Sequence, residues 1–287
     1  MKKLINLILI KFDFIIRFLY VKMRLNRLFF WKRYTSNCQI IDSYFPNIKE
    51  LLSRQNFDIK DKVVMELGSG NSYINAYNFL QAGARKVILL DKFPRNYTNK
   101  KQKLFFQEEL SYFREKNKDK IFCLQTDRQT DDRLNFLEDK IEYISGDISN
   151  INLNCKADLV ISISVFEHIK NYEGTILGVY NCLNEGGLVF SRIDLRDHYN
   201  FDSPFLFYKY SNKVWEKYLV KEGVSYTNRL RHSDWIQLFS NYFELLDQKL
   251  WRYNLDIPRK KIKLNTVSEK DLDIGVVEYL MKKKVKA

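Results

Sequence analysis

Residues 62–91 constrain the fold more than any other stretch. Lys62 to Leu67 is a short apolar run of strand character that leads straight into Gly68-Ser69-Gly70-Asn71-Ser72. A helix is expected over residues 73–82, ended by Gly83, which tolerates the left-handed backbone just past a helix. Lys86 to Leu90 is a second apolar strand, and it ends on Asp91. Strand, glycine turn, helix, strand and terminal carboxylate in this order build half of an open, mostly parallel α/β sheet. The glycines let backbone approach a ligand, and the helix start offers free N–H groups. A carboxylate at the second strand end can hold both hydroxyls of a ribose.

Two ligand classes share that unit. A dinucleotide site asks for a third glycine at position 73, where this chain has Tyr73. The string Glu66-x-Gly68-x-Gly70 instead resembles motif I of class I S-adenosylmethionine-dependent methyltransferases, with Ser72 in place of that motif's last glycine. Four further strings follow in the family's order. After Asp91, the next is Ile141 to Ser145, running into Gly146-Asp147. Ala157 to Ser164 then reads as a fourth strand, followed by Val165-Phe166-Glu167-His168-Ile169. Leu183-Asn184-Glu185-Gly186-Gly187 resembles the turn into a fifth strand. The resemblance implies a Rossmann-like, seven-stranded α/β methyltransferase sheet with S-adenosyl-L-methionine as cofactor. Its cofactor residues would be Glu66, Gly68, Gly70, Asp91, Asp147 and Ser164. Residues 243–246 and 274–280 are expected as the last two strands, an antiparallel hairpin at the sheet edge.

One spacing is long: 50 residues separate Asp91 from Ile141, more than one crossover helix requires. The insertion, residues about 95–140, holds a helical pattern over 99–120 and reads either as a lid or as a solvated extra helix. Beyond the fifth strand, Asp194, Arg196, Asp197 and His198 crowd one short segment at the sheet edge where ligands bind in open α/β folds. Asn228, Arg229, Arg231 and Asp234 follow. These two strings resemble methyltransferases of bacterial polysaccharide and cell-surface glycan pathways. The segment 194–240 is therefore assigned to the acceptor, with Asp194, Arg196, Asn228, Arg229 and Arg231 as its binding residues. The two later arginines either clamp an acceptor phosphate or carboxylate, or pair with Asp194 and Asp234. A neutral imidazole suits removal of a hydroxyl proton near neutral pH. Of three histidines, His198 is the first candidate general base and His168 the second.

The formal charge is +13, and its distribution is uneven. Residues 1–36 carry nine Lys/Arg against Asp13 alone, and residues 258–287 carry nine against four acids. Residues 37–257 balance at 30 of each sign, which argues against a nucleic-acid face. The four cysteines show neither paired spacing nor accompanying histidine motifs, so no metal site is expected. The N-terminal run from Leu4 to Trp31 is apolar but is broken repeatedly by charges, too often for a spanning helix. On a helix, Asn6, Asp13, Arg17 and Arg24 fall in one stripe about 40° wide, and most of the remaining surface is apolar. That pattern fits a basic amphipathic helix on an anionic membrane surface. A helix packed on the domain with its charges at the rim, and a signal peptide, stay open.

The expected organisation is an N-terminal helix, residues 1–36, and a methyltransferase domain, residues 37–287. The expected activity is O-methylation of a small-molecule or glycan acceptor, lipid-linked in one version, on the cytoplasmic face of a membrane reached through residues 1–33. Two rival readings are an NAD-dependent oxidoreductase and a catalytically silent membrane scaffold of methyltransferase fold.

Overall fold

The computed structural model describes residues 12–19, 21–22, 38–94, 100–117, 140–151, 156–221, 226–265 and 268–285. Two helices, α1 (Cys38–Asp42) and α2 (Tyr44–Arg54), precede the sheet. Then come β1 (Val63–Leu67), α3 (Ile74–Gln81), β2 (Lys86–Asp91), α4 (Lys100–Lys116) and β3 (Ile141–Ser145). The chain continues through β4 (Ala157–Ile163), α5 (Tyr172–Cys182), β5 (Leu183–Asp194), α6 (His232–Ser240), β6 (Phe243–Arg252) and β7 (Ile274–Lys283).

The seven strands lie in the order β3-β2-β1-β4-β5-β7-β6. The first five run parallel, and β7 inserts antiparallel between β5 and β6. This is the expected Rossmann-like methyltransferase sheet. The final hairpin is longer than the sequence pattern indicates, because polar residues such as Gln248 and Lys249 extend β6 along an edge with one solvated face.

Both faces of the parallel strands are covered, so alternate residues enter two cores. Val63, Met65 and Leu67 of β1 face α5 and α6, joining Ile176, Val179, Trp235 and Phe239. Val64 faces the other way, toward Ile48 and Leu52 of α2 and Ile74, Tyr77 and Phe79 of α3. Continuous apolar strands are the signature of this double cover.

The insertion helix α4 is part of that second core, which corrects the reading of it as a solvated extra helix. Phe106 and Phe113, two turns apart, are buried against Tyr73 and Tyr77, with ring centroids 5.2 and 5.3 Å apart. Between them, buried Glu109 accepts hydrogen bonds from the Tyr73 backbone N–H, at 2.9 Å, and from the Ser72 hydroxyl. Residues 95–99 and 118–139 of the insertion lie outside the described residues.

A third core sits over the carboxyl ends of β4 and β5. It gathers Phe205, Phe207, Tyr208, Trp215, Leu219, Tyr226, Ile257 and Leu272, with Phe18 packed against it. Residues 12–19 and 21–22 are helical and dock here with their polar side inward. Asp13 and Arg17 are buried, while Phe12, Phe14, Ile15, Ile16 and Leu19 are exposed. The packed alternative placed charges at the rim; instead the charges form the contact. Asn6 and Arg24, the other members of the stripe, lie outside the described residues. Among the described residues, no helix is long and apolar enough to cross a membrane.

Candidate active site

The strand order reverses between β1 and β4, and the two strand ends form the crevice where open α/β sheets take ligands. On the β1 side, Gly68 (φ +75°) and Gly70 (φ +56°) have left-handed backbone. Gly68 is a close approach: a Cβ there would lie 2.3 Å from a methyl of Val165, just after β4. A Cβ at Gly70 would meet nothing within 4 Å, so the turn leaves open room at this point. Asp91 Oδ2 accepts from the Gly70 N–H at 2.8 Å, and Oδ1 from the Phe93 N–H at 2.9 Å. The acid thus ties the β2 end to the glycine turn. Buried Glu66 accepts from the Asn75 side chain at 2.7 Å, locking β1 to α3.

Asp147 follows β3 and accepts from the backbone and hydroxyl of Ser149, with Lys92 Nζ 3.4 Å away. Burial opposes its charge, but these partners together hold its pKa below the usual carboxylate value. Ser164 ends β4 with φ +55°, unusual for a residue with a side chain, and is exposed at the crevice. Gly68, Gly70, Asp91, Asp147 and Ser164 therefore line up along adjacent carboxyl ends of β1, β2, β3 and β4. This set can hold an adenosine-bearing cofactor: open backbone at Gly70, and carboxylates at two strand ends.

On the acceptor side, His168 closes a 3-10 turn, Phe166–His168, and His198 lies in the loop after β5. Their ring centroids are 4.8 Å apart. His168 Nδ1 lies 2.8 Å from the Tyr226 carbonyl oxygen, which can only accept, so Nδ1 carries the proton and Nε2 a lone pair. Surrounding protein lowers the pKa of His168 through desolvation, although part of the ring stays exposed to solvent. His198 is pushed to about 4, first by desolvation and then by the neighbouring His168. Both rings are neutral at pH 7, as a proton acceptor must be.

Glu167, close to both, is buried, and Oε1 accepts from the Asp194 N–H at 3.2 Å. Desolvation, then the charge of Asp194, raise its pKa well above the usual range. The sequence reading passed over Glu167; its place beside His168 at a strand end was the available signal.

The acceptor-binding candidates divide. Asp194 grips Arg196 through Nε at 2.9 Å and Nη2 at 2.7 Å, so these two satisfy each other beside His198. Asn228 faces inward: its amide donates to the Phe166 and Ile169 carbonyls at 2.7 and 3.0 Å and so pins the turn that bears Glu167 and His168. Arg229 is buried and donates to the carbonyls of Phe207 and Tyr210 at 3.0 and 2.8 Å, stacked on Trp215. Arg231, wholly buried, donates to the Leu195 carbonyl at 2.6 Å and to that of Ile274. Neither arginine pairs with Asp194, and the Asp234 carboxylate takes the Arg231 backbone N–H instead. Both guanidiniums are buried and turned to oxygens of their own loop, those of Phe207, Tyr210 and the Asn212 side chain for Arg229 and those of Leu195 and Ile274 for Arg231, which corrects the expectation that they clamp an acceptor anion. Arginine was chosen for its multiple donors, and here those donors organise the loop.

The sequence matches the model of a family described as a methyltransferase domain over residues 33–255. No protein of curated function matches. Among solved structures, the chain is similar to one chain of the complex containing the Haloferax volcanii Trm112 methyltransferase activator, at 14% identity and TM-score 0.48, covering 90% of this chain and 97% of that one. It is also similar to the N-methyltransferase NodS of Bradyrhizobium japonicum bound to S-adenosyl-L-homocysteine, at 10% identity and TM-score 0.42, with coverage of 86% and 87%. A third is an S-adenosylmethionine-dependent methyltransferase of Clostridium acetobutylicum, at 15% identity and TM-score 0.44, with coverage of 83% and 89%. With most of its length matched by the family model, the chain belongs to the methyltransferase-domain family and is an S-adenosylmethionine-dependent methyltransferase.

Proposed function

We propose that this enzyme O-methylates a hydroxyl of a small-molecule or glycan acceptor, lipid-linked and presented at the cytoplasmic face of a membrane. The observation that carries the reading is the pair of neutral imidazoles, His168 and His198, facing each other where β4 and β5 end. When bound, S-adenosylmethionine supplies an electrophilic methyl group. In this reading Glu66, Gly68, Gly70, Asp91, Asp147 and Ser164 hold the cofactor. An imidazole, that of His198 first and of His168 second, takes the acceptor proton as its oxygen becomes nucleophilic. Asp194 and Arg196 bear on the acceptor through their contact with the His198 loop, and Asn228 through the turn it pins.

Residues 37–287 form the catalytic unit of this proposal, and residues 1–36 form its membrane-facing appendage. Support for the location comes from the exposed apolar side of the docked helix and the nine basic residues of 1–36. Membership of the methyltransferase family weighs against the oxidoreductase reading. The neutral imidazole pair weighs against a silent scaffold.

The test supplies labelled S-adenosylmethionine to full-length protein with a bacterial membrane extract. Label is expected in the lipid-linked glycan fraction as a methyl ether. His198→Ala or His168→Ala should lower the rate by about 10²–10⁴ with cofactor affinity unchanged. Label found on nitrogen, or transfer undiminished in both variants, overturns the assignment.

A further inference from the structure

Glu167, His168 and His198 each offer a ligand atom, and these atoms lie within 4.8 Å of one another. Two of these three residues also carry a buried atom without any hydrogen-bond partner: Glu167 Oε2 and His198 Nε2. Buried polar atoms are nearly always satisfied, so a bare carboxyl oxygen and a bare ring nitrogen in one cluster call for a partner. The third ring is already arranged as a ligand. His168 Nδ1 donates to the Tyr226 carbonyl, which fixes the tautomer with the Nε2 lone pair outward. A backbone carbonyl on the far nitrogen is the usual outer support of a metal-bound histidine.

We propose that these three side chains form a binding site for a divalent metal of the zinc class. Two imidazole nitrogens and one carboxylate oxygen are the ligand set of zinc sites that keep a position free for substrate. Bonds of about 2.0–2.2 Å to a common ion would hold the ligand atoms roughly 3–4 Å apart, so the widest separation, up to 4.8 Å, must close by about 1–2 Å. Oxygen-seeking magnesium, which prefers carboxylates and water, fits two imidazoles poorly. His168 is exposed to solvent, so the site is not sealed on every side.

The surrounding structure holds the set in place. Asn228 pins the turn bearing Glu167 and His168, and the Asp194 N–H fixes Glu167 Oε1, leaving Oε2 for the ion. The proposal rests on the methyl-transfer reading only for what the ion does. With the ion bound, a lone pair of each imidazole would be engaged by it, and the positive charge would hold and acidify the acceptor hydroxyl, whose proton would pass to solvent water instead of to a free imidazole.

The test uses full-length protein treated with chelator and dialysed. Cobalt(II) is titrated in and followed by its visible absorption, and zinc(II) by calorimetry. One ion per chain is expected, with intense low-coordinate cobalt bands. His168→Ala, His198→Ala and Glu167→Gln should each weaken binding by about 10–100-fold or more, whereas His232→Ala should leave it unchanged. Calorimetry with S-adenosylhomocysteine on every variant shows that the fold and cofactor site persist. Failure of a folded, cofactor-binding protein to take up the ion overturns the site, as does binding that survives all three substitutions. Methyl transfer undiminished by chelator would remove the metal role and leave the function above standing. Ion binding without any transfer would do the reverse.

Discussion

Arg17, in the N-terminal helix, and Asp197, in the loop after β5, form an ion pair that is closed off from solvent, with side chains 1% and 0% exposed. Nη1 reaches Oδ1 at 2.9 Å, and Nη2 contacts Oδ2. Arg17 Nε also holds Asp13 at 2.8 Å, and Tyr210 and Lys209 complete the shell around Asp13. The guanidinium lies over the rings of Tyr199 and Trp215, at 4.7 and 5.6 Å. Burial opposes the charge on Arg17, but the two carboxylates outweigh it and raise its pKa. Asp197 immediately precedes His198, so this contact links the helix to the loop that carries this histidine.

Removing one partner leaves a buried charge without compensation. Arg17→Met should destabilise the native state by about 3–5 kcal/mol. Arg17→Met with Asp13→Leu and Asp197→Leu should recover most of that loss, because apolar groups of similar volume replace the whole set. Urea unfolding of the single and triple variants checks this. A single variant as stable as the parent would mean that the helix does not dock as described.

Gly68 and Gly70 should respond differently to a methyl group. Gly70→Ala meets only the strain of a left-handed residue, about 1–2 kcal/mol. Gly68→Ala adds the collision with Val165 and should cost roughly 2–4 kcal/mol in all. Val165→Ala introduced beside Gly68→Ala should restore the difference. Thermal unfolding of the three variants measures it, and equal losses for the two glycines would deny the close approach of β1 and β4.

Asp91→Ala should weaken binding of S-adenosylmethionine by roughly ten- to a hundredfold, since loss of a charged hydrogen-bond partner is worth about 1.5–3 kcal/mol. Calorimetry gives the affinity directly. Unchanged affinity would move the ribose away from the β2 end.

Full-length protein should pellet with vesicles containing phosphatidylserine and only partly release in high salt, because salt screens the basic residues but leaves apolar insertion intact. Ile15→Asp with Leu19→Asp should abolish pelleting without loss of stability, since both side chains are exposed. Protein that stays in the supernatant with such vesicles would return the helix to a purely intramolecular role.

Much of this was legible beforehand because it was local. The strand and glycine-turn strings around Gly68, Gly146 and Gly187 are contiguous, and each determines its own backbone. The pairing of His168 with His198 could be anticipated because both follow strand ends on one sheet edge. What escaped was the direction of side chains brought together by distant segments. Arg229 and Arg231 read as anion binders until the carbonyls of Phe207, Tyr210 and Leu195 are placed around them. The polar stripe of the N-terminal helix was plain, but which side it would turn toward the protein depended on Asp197, a residue 180 positions away. Glu109 was hidden likewise, as one acid in a helix rich in charge whose partners lie at the start of α3.

That separation also sets an order of events during synthesis. At ordinary translation rates of about 5–20 residues per second, Asp197 is made about 10–40 seconds after Arg17. For that interval Asp13, four residues away, is the one of Arg17's two carboxylate partners already made. The helix then waits for its docking partner until the parallel strands β1 to β5 have been made. The loop carrying His198 settles against the helix only after that point, so the surroundings of this histidine are among the last parts of the fold to close.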